Sequence, residues 1–231
     1  REKPDRCPMQ ISFTPEFAAR LRQQMGIRDH QLHNPHGGGN TYALERARIK
    51  GDETVLVAGC GTVGLMILLG LKSMGVKNIY MTDLLDYRQD KARDLGATLT
   101  WNPLEVKTST KIKELTSGKG VDVAIEAVGI EATLKDCLSS VKCGGKVIVQ
   151  GIFTERALVH MLGFVTRETT MIGTNSINPQ LALSWLKSGN IRPESVITRI
   201  IPLKKIKEEG FEVLAGKSTE NIKILVAPFG V

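Results

Sequence analysis

The stretch that most constrains this chain is Thr54-Val55-Leu56-Val57-Ala58-Gly59-Cys60-Gly61-Thr62-Val63-Gly64-Leu65-Met66. An apolar, β-branched run passes straight into G-x-G-x-x-G and then into an apolar segment of helical character. Few folds accept that order. Gly59 allows a tight turn out of a strand, Gly61 lets backbone approach a pyrophosphate with no Cβ in the way, and Gly64 permits close packing of a helix on a sheet. A helix opening at Thr62 and Val63 would present unpaired N–H groups and the positive end of its dipole to that anion. Glycine clusters also serve plain strand-to-helix turns, so the motif alone does not require a ligand.

The next strand supplies a second feature. Ile79-Tyr80-Met81-Thr82 ends on Asp83, 19 positions past Gly64, close to the ~20-residue offset at which an acid accepts the ribose hydroxyls of an adenosine cofactor. The competing role for Asp83 is an N-cap of the following helix. A carboxylate beside the ribose repels a 2′-phosphate and accepts hydroxyl donors, which favours NAD over NADP. Arg88 has three roles open to it: attracting a 2′-phosphate, lying over the adenine, or facing solvent.

From residue 54 onward, short β-branched runs alternate with longer amphipathic segments, the pattern of a parallel sheet covered on both faces. Expected strands are 54–58, 79–82, 98–100, 121–125, 146–150 and 169–173. Expected helices cover 62–74, 87–95, 110–116, 132–141 and 157–165, several closed by glycine. The fold class is therefore α/β, a doubly wound parallel six-stranded sheet of the Rossmann type. After residue 178 the rhythm changes to a helix over 179–188, a strand over 196–201 and a closing strand over 222–226. Residues 1–42 differ again, with an amphipathic stretch over 15–25 and then a polar run containing His30, His33, His36 and three consecutive glycines. The expected organisation is a short N-terminal remnant (1–42), a dinucleotide-binding domain (43–177) and a segment belonging to an incomplete second domain (178–231).

A formal charge of +7 raises nucleic acid as a partner, but acids interrupt the basic residues, as in Asp86-Tyr87-Arg88-Gln89-Asp90-Lys91-Ala92-Arg93-Asp94, a solvated helix face rather than a phosphate-binding stripe. No nucleic-acid partner is expected. Cys7, Cys60, Cys137 and Cys143 form no C-x-x-C pair, which excludes a cysteine zinc site of that spacing and points to a reducing, cytoplasmic setting. Cys60 and Cys143 read as small packed residues, although Cys60 sits where a helix N-terminus could lower its pKa. The histidines at 30, 33 and 36 lie in a Pro- and Gly-rich loop with no carboxylate or cysteine beside them, and read as a solvated loop rather than a metal site. The longest apolar run stops at Lys72, well short of the ~20 residues of a membrane span. The chain begins with Arg and its length suits one large domain with part of a second, so it reads as a fragment.

Taken together, Ala43-Leu44-Glu45-Arg46-Ala47, Gly51 to Val57, the Gly59 turn, Asp83 with Arg88, Ile125-Glu126-Ala127-Val128-Gly129, Gly144 to Gly151 and Pro202-Leu203 resemble the zinc-type medium-chain dehydrogenases, in the branch of sorbitol, threonine and butanediol dehydrogenases. The resemblance covers residues 43–231. It implies that Val63 and Gly64 lie by the pyrophosphate, Asp83 and Arg88 by the adenosine, Val128 and Gly129 beside the cofactor, and Gly151 and Ile152 near the nicotinamide, with Asn175 a weaker candidate. It further implies reversible hydride transfer between a secondary alcohol or polyol and nicotinamide, assisted by a zinc ion that polarises the oxygen. The family's zinc ligands are absent from residues 1–42, which hold one cysteine and no G-H-E segment; no catalytic or metal-binding residue is assigned. A non-catalytic dinucleotide-binding module is the alternative, and a methyltransferase with its own adenosine cofactor fits the third glycine poorly. Strands in 178–231 lack obvious partners, so that segment is expected to be poorly ordered, covered by residues 1–42, or paired in a homo-oligomer.

Overall fold

A computed structural model describes residues 12–13, 40–174, 179–216 and 220–228. The chain divides into two compact units, residues 35–192 and residues 1–34 together with 193–231. Helix Pro179–Lys187 thus belongs to the larger unit, and the divide falls fifteen residues beyond the limit expected from the sequence at 177/178. In chain order the first element is β1 (Ser12–Phe13), a strand of the smaller unit.

The larger unit opens with α1 (Asn40–Ala47), followed by β2 (Thr54–Ala58), α2 (Thr62–Ser73), β3 (Asn78–Thr82), α3 (Asp86–Asp94) and β4 (Leu99–Trp101). It continues with α4 (Thr108–Leu115), β5 (Val121–Glu126), α5 (Glu131–Ser140), β6 (Val141–Val149), α6 (Met161–Thr166), β7 (Thr170–Gly173) and α7 (Pro179–Lys187). The six strands β2 to β7 form one sheet in the order β4-β3-β2-β5-β6-β7, every pair parallel. This is the doubly wound Rossmann arrangement, and its strand order reverses between β2 and β5, where such sheets open a crevice at their carboxyl ends.

Burial explains the continuous apolar runs. Residues Val55 to Ala58 are at most 1% exposed, as a central strand covered on both faces requires. On one face Leu56, Tyr80, Ala124 and Val147 pack with Leu134 and Cys137 of α5, Ile112 of α4 and Trp101. On the other, strand alternation turns Val55 and Val57 the opposite way, and α2 buries Leu65, Ile67, Leu68 and Leu71. A Cβ on Gly70 would lie 2.6 Å from Leu44 of α1 and 3.2 Å from Trp185 of α7, so the bare backbone there lets both helices settle onto α2.

Two of the expected elements differ from the sequence reading by four residues or more at their start. The helix expected over 157–165 is the shorter α6, whose N-cap His160 accepts from Gly163 N–H on Nδ1 (3.4 Å), while before it Leu158 N–H donates to the Glu131 carboxylate (2.9 Å). The strand expected from 146 begins at Val141, which pairs with Val121 before a register shift brings Lys146 opposite Val123.

In the smaller unit, β1 pairs in parallel with β9 (Lys223–Ala227), and β9 in turn with β8 (Ile197–Pro202). Between the last two lie a 3-10 turn, a π-turn over Ile206–Phe211 and α8 (Glu212–Ala215). Ile201, Ile224 and Val226 form its core with Ile206, Val213 and Leu214. Of the options open for residues 178–231, the structure shows a strand from residues 1–42 lying along β9. The amphipathic stretch over 15–25, Cys7, the three histidines and Asn175 lie outside the described residues. No helix among the described residues is long and apolar enough to cross a membrane.

Candidate functional site

Gly59 leaves β2 with φ +104°, a left-handed conformation that favours glycine. Its N–H donates to Thr82 O (2.8 Å), tying the turn to the end of β3. Gly61 precedes α2 in extended backbone (φ −73°, ψ −173°) with no side chain capping the helix, and the first helical bond runs from Leu65 N–H to Gly61 O (2.9 Å). A Cβ on Gly61 meets no atom within 4 Å, whereas one on Gly64 would lie 1.9 Å from Gly59 O. The two glycines therefore do different things: Gly64 closes the turn on itself, and Gly61 keeps open the space before the helix that Thr62 and Val63 begin. An uncapped helix N-terminus facing open space is suited to a phosphate.

Asp83 is partly buried and accepts two backbone hydrogen bonds, from Cys60 N–H on Oδ2 (2.8 Å) and from Leu85 N–H on Oδ1 (3.0 Å). It does not cap α3, whose N-cap is Leu85. The carboxylate thus braces the glycine turn from β3, a role invisible at a separation of 23 residues. Arg88, on the first turns of α3, has a buried Nε without a protein partner.

The remaining candidates join the same edge. A Cβ on Gly59 would come within 2.7 Å of Val128 Cγ2, so the β5 turn leans on the β2 turn. Ala127 N–H donates to Ala58 O (3.0 Å). Gly129 (φ +92°) lies against the chain after β6: a Cβ on it would be 2.4 Å from Ile152 O, and one on Gly151 would be 2.3 Å from Gly129 N. Ile152 itself is 54% exposed. Gly59, Gly61, Thr62, Val63, Gly64, Asp83, Val128, Gly129, Gly151 and Ile152 hence follow one another along the carboxyl ends of β2, β3, β5 and β6, with Arg88 one helical turn beyond.

The sequence reading missed Glu126. It ends β5 fully buried, and its Oε1 accepts from Val128 N–H (2.9 Å), Gly129 N–H (2.8 Å) and the Thr133 hydroxyl (2.7 Å), while Oε2 is buried without a partner. An acid closing an apolar strand was the available signal, since buried charge requires partners. Cys143, expected to be packed, is instead exposed, whereas Cys60 is packed as expected, and burial, with the Asp83 carboxylate adding to it, pushes its thiol well up rather than down, despite opposing Arg88 and Arg93 charges. Cys137 is raised too, chiefly by burial and then by Glu126 and Asp136. Both read as packed, unreactive side chains. Among the described residues no group of three or more His, Cys, Asp and Glu is placed to hold a metal ion.

A parallel sheet reversing at β2/β5, with a glycine turn, a helix N-terminus and an acid at its switch point, defines the class of doubly wound, Rossmann-type α/β domains. More specifically, residues 62–187 match the family model described as "Zinc-binding dehydrogenase", and the chain belongs to that family. It is 31% identical over 221 residues to (R,R)-butanediol dehydrogenase of Bacillus subtilis, covering 94% of this chain and 63% of that one. It is 28% identical to sorbitol dehydrogenase of the same organism, over 94% of this chain and 62% of that one. The crystal structure of the B. subtilis 2R,3R-butanediol dehydrogenase superposes with a TM-score of 0.76 at 32% identity, over 83% of this chain and 55% of that one. The chain thus spans 63% and 62% of the lengths of these two curated relatives.

Proposed function

We propose that this chain is the NAD(H)-binding part of an alcohol or polyol dehydrogenase, and that the whole protein transfers hydride reversibly between a secondary alcohol and nicotinamide. The observation that carries the proposal is the empty volume over Gly61 beside an uncapped helix, with Asp83 on the neighbouring strand. These residues fit a dinucleotide. Gly61, Thr62, Val63 and Gly64 would hold its pyrophosphate by backbone N–H groups. The carboxylate oxygens of Asp83, each with one lone-pair direction committed to backbone, retain acceptor capacity for ribose hydroxyls. A carboxylate there favours NAD over NADP, and in the helix that follows Asp83 the Arg88 Nε is buried without a protein partner. Val128, Gly129, Gly151 and Ile152 would flank the nicotinamide and, with little side-chain bulk at the glycines, bring backbone against it. When bound, the nicotinamide supplies the hydride chemistry; the protein orients it and keeps one face open to substrate.

The described residues do not form a zinc site, so no step is assigned to zinc held by them. The names of the relatives, butanediol and sorbitol dehydrogenases, support a small alcohol or polyol as substrate of the whole protein. The second reading is a dinucleotide-binding module without catalysis of its own. Fluorescence titration with NADH and NADPH, with metal analysis and turnover of a secondary alcohol on the same sample, tests both. Saturable NADH binding tighter than NADPH supports the cofactor assignment, and turnover separates enzyme from module. Absence of NADH binding overturns the assignment.

A further inference from the structure

We infer that Glu126 is the positioning residue of the nicotinamide end of the crevice, setting the shape of the Val128–Gly129 turn and its contact with Gly151–Ile152. The inference rests on the dinucleotide reading above and deepens it.

Glu126 holds two strand ends at once. Through its side chain, Oε1 gathers the N–H groups of Val128 and Gly129 and the hydroxyl of Thr133, fixing the turn from β5 into α5. Through its main chain, the carbonyl oxygen accepts from both Gln150 N–H (2.9 Å) and Gly151 N–H (3.0 Å), fixing the end of β6. Between these anchors the backbones touch with no space for a side chain. A Cβ on Gly129 would stand 2.4 Å from Ile152 O, and one on Gly151 would stand 2.3 Å from Glu126 Oε2. Gly129 makes this contact with a left-handed φ of +92°, a conformation that favours glycine.

Stability alone does not explain this residue. A buried carboxylate oxygen with no donor opposes folding, and Oε2 is such an oxygen. What the carboxylate secures is geometry: with it in place Val128 leans on Gly59 and Gly129 on Ile152, so the two walls of the crevice keep a set separation. Without an acceptor, the turn would relax at the nicotinamide end, while the glycine turn and Asp83, which hold the adenosine diphosphate half, keep their own bonds. Glu126 therefore acts through Val128 and Gly129 rather than by touching the cofactor.

The test compares NADH with ADP-ribose, which lacks the nicotinamide ring, by calorimetric titration of the wild type, Glu126→Ala and Glu126→Gln. The alanine variant is expected to bind NADH at least about tenfold more weakly, as the buried Gly129 N–H and the part-buried Val128 N–H lose their acceptor, and ADP-ribose within about threefold of the wild type. The glutamine variant, whose amide oxygen accepts in place of Oε1, should restore NADH binding to within about threefold. Should the alanine variant fail to fold, Glu126→Asp, with the carboxyl drawn back by one methylene, must show the same selective loss. Equal losses for both ligands would mark a merely structural residue and overturn the inference, as would unchanged NADH binding in the alanine or aspartate variant. A wild type that binds neither ligand would overturn the dinucleotide reading itself, and the inference with it, and is told apart from the other outcomes by that control.

Discussion

Replacing Gly61 by alanine separates the folding of the glycine turn from what the turn holds. Gly61 has backbone angles open to any residue (φ −73°, ψ −173°), and a Cβ built there meets no atom within 4 Å. Folding should therefore survive, with a gain of about 0.4–1 kcal/mol because alanine has fewer unfolded conformations to lose. If a diphosphate fills that space, the new methyl group stands between its oxygens and the N–H groups opening α2. A hydrogen bond to a charged group contributes about 1.5–3 kcal/mol, so losing one or two amounts to about 3 kcal/mol. That corresponds to roughly a 100-fold rise in Kd for NADH. Calorimetric titration and a thermal melt on the same preparation read both quantities. The expected variant melts at or above the wild-type temperature and binds NADH about 100-fold more weakly. Wild-type affinity in a stably folded variant would show that nothing sits over Gly61 and would refute the reasoning. Gly64→Ala cannot make this separation, since its Cβ would strike Gly59 O at 1.9 Å.

Three further outcomes follow from individual side chains. Asp83→Ser should weaken NADH binding by about tenfold or more and narrow the gap to NADPH, because it removes the negative charge as well as the acceptor of Cys60 N–H; parallel titrations with both dinucleotides check it. Asp122 is opposed by burial, yet hydrogen bonds from Lys142 and from Thr54 N–H, with the Lys142 charge, hold its carboxyl below the usual aspartate value of 3.8. A folded pKa below the unfolded one contributes stability at higher pH that fades as the pH falls below about 4, so Asp122→Asn should flatten that part of the acid limb in urea melts at stepped pH. Burial keeps the Cys60 and Cys137 thiols protonated while Cys143 is exposed. At pH 8 a thiol reagent should thus label Cys143 and spare the other two in the native protein, as peptide mass mapping would show, and labelling of native Cys60 would contradict its burial.

Much of the larger unit was legible locally. β2 appears with the limits its apolar run sets, Thr54–Ala58, and α2 ends within a residue of the helix expected before Gly75. Such features depend on side-chain period and turn chemistry, which act over a few residues. Where distant partners intervene, legibility fails. The segment before α6 is held by Glu131, whose carboxylate accepts from Leu158 N–H 27 residues away, and β6 reaches back to Val141 because Val121 lies beside it.

The candidate site divides along the same line. The amino-acid order by itself determined the strand, turn, helix and acid around Gly59, Gly61, Gly64 and Asp83, because glycine's freedom in φ and the span of one helix between neighbouring strands are properties of short segments. Only the tertiary structure decided that Asp83 braces Cys60 N–H, that Cys60 is too buried to be a reactive thiol, that β1 lies along β9, and that Glu126 binds the ends of β5 and β6 together. Those are contacts between residues far apart in the chain, and their geometry and local dielectric exist only once the parallel strands are side by side.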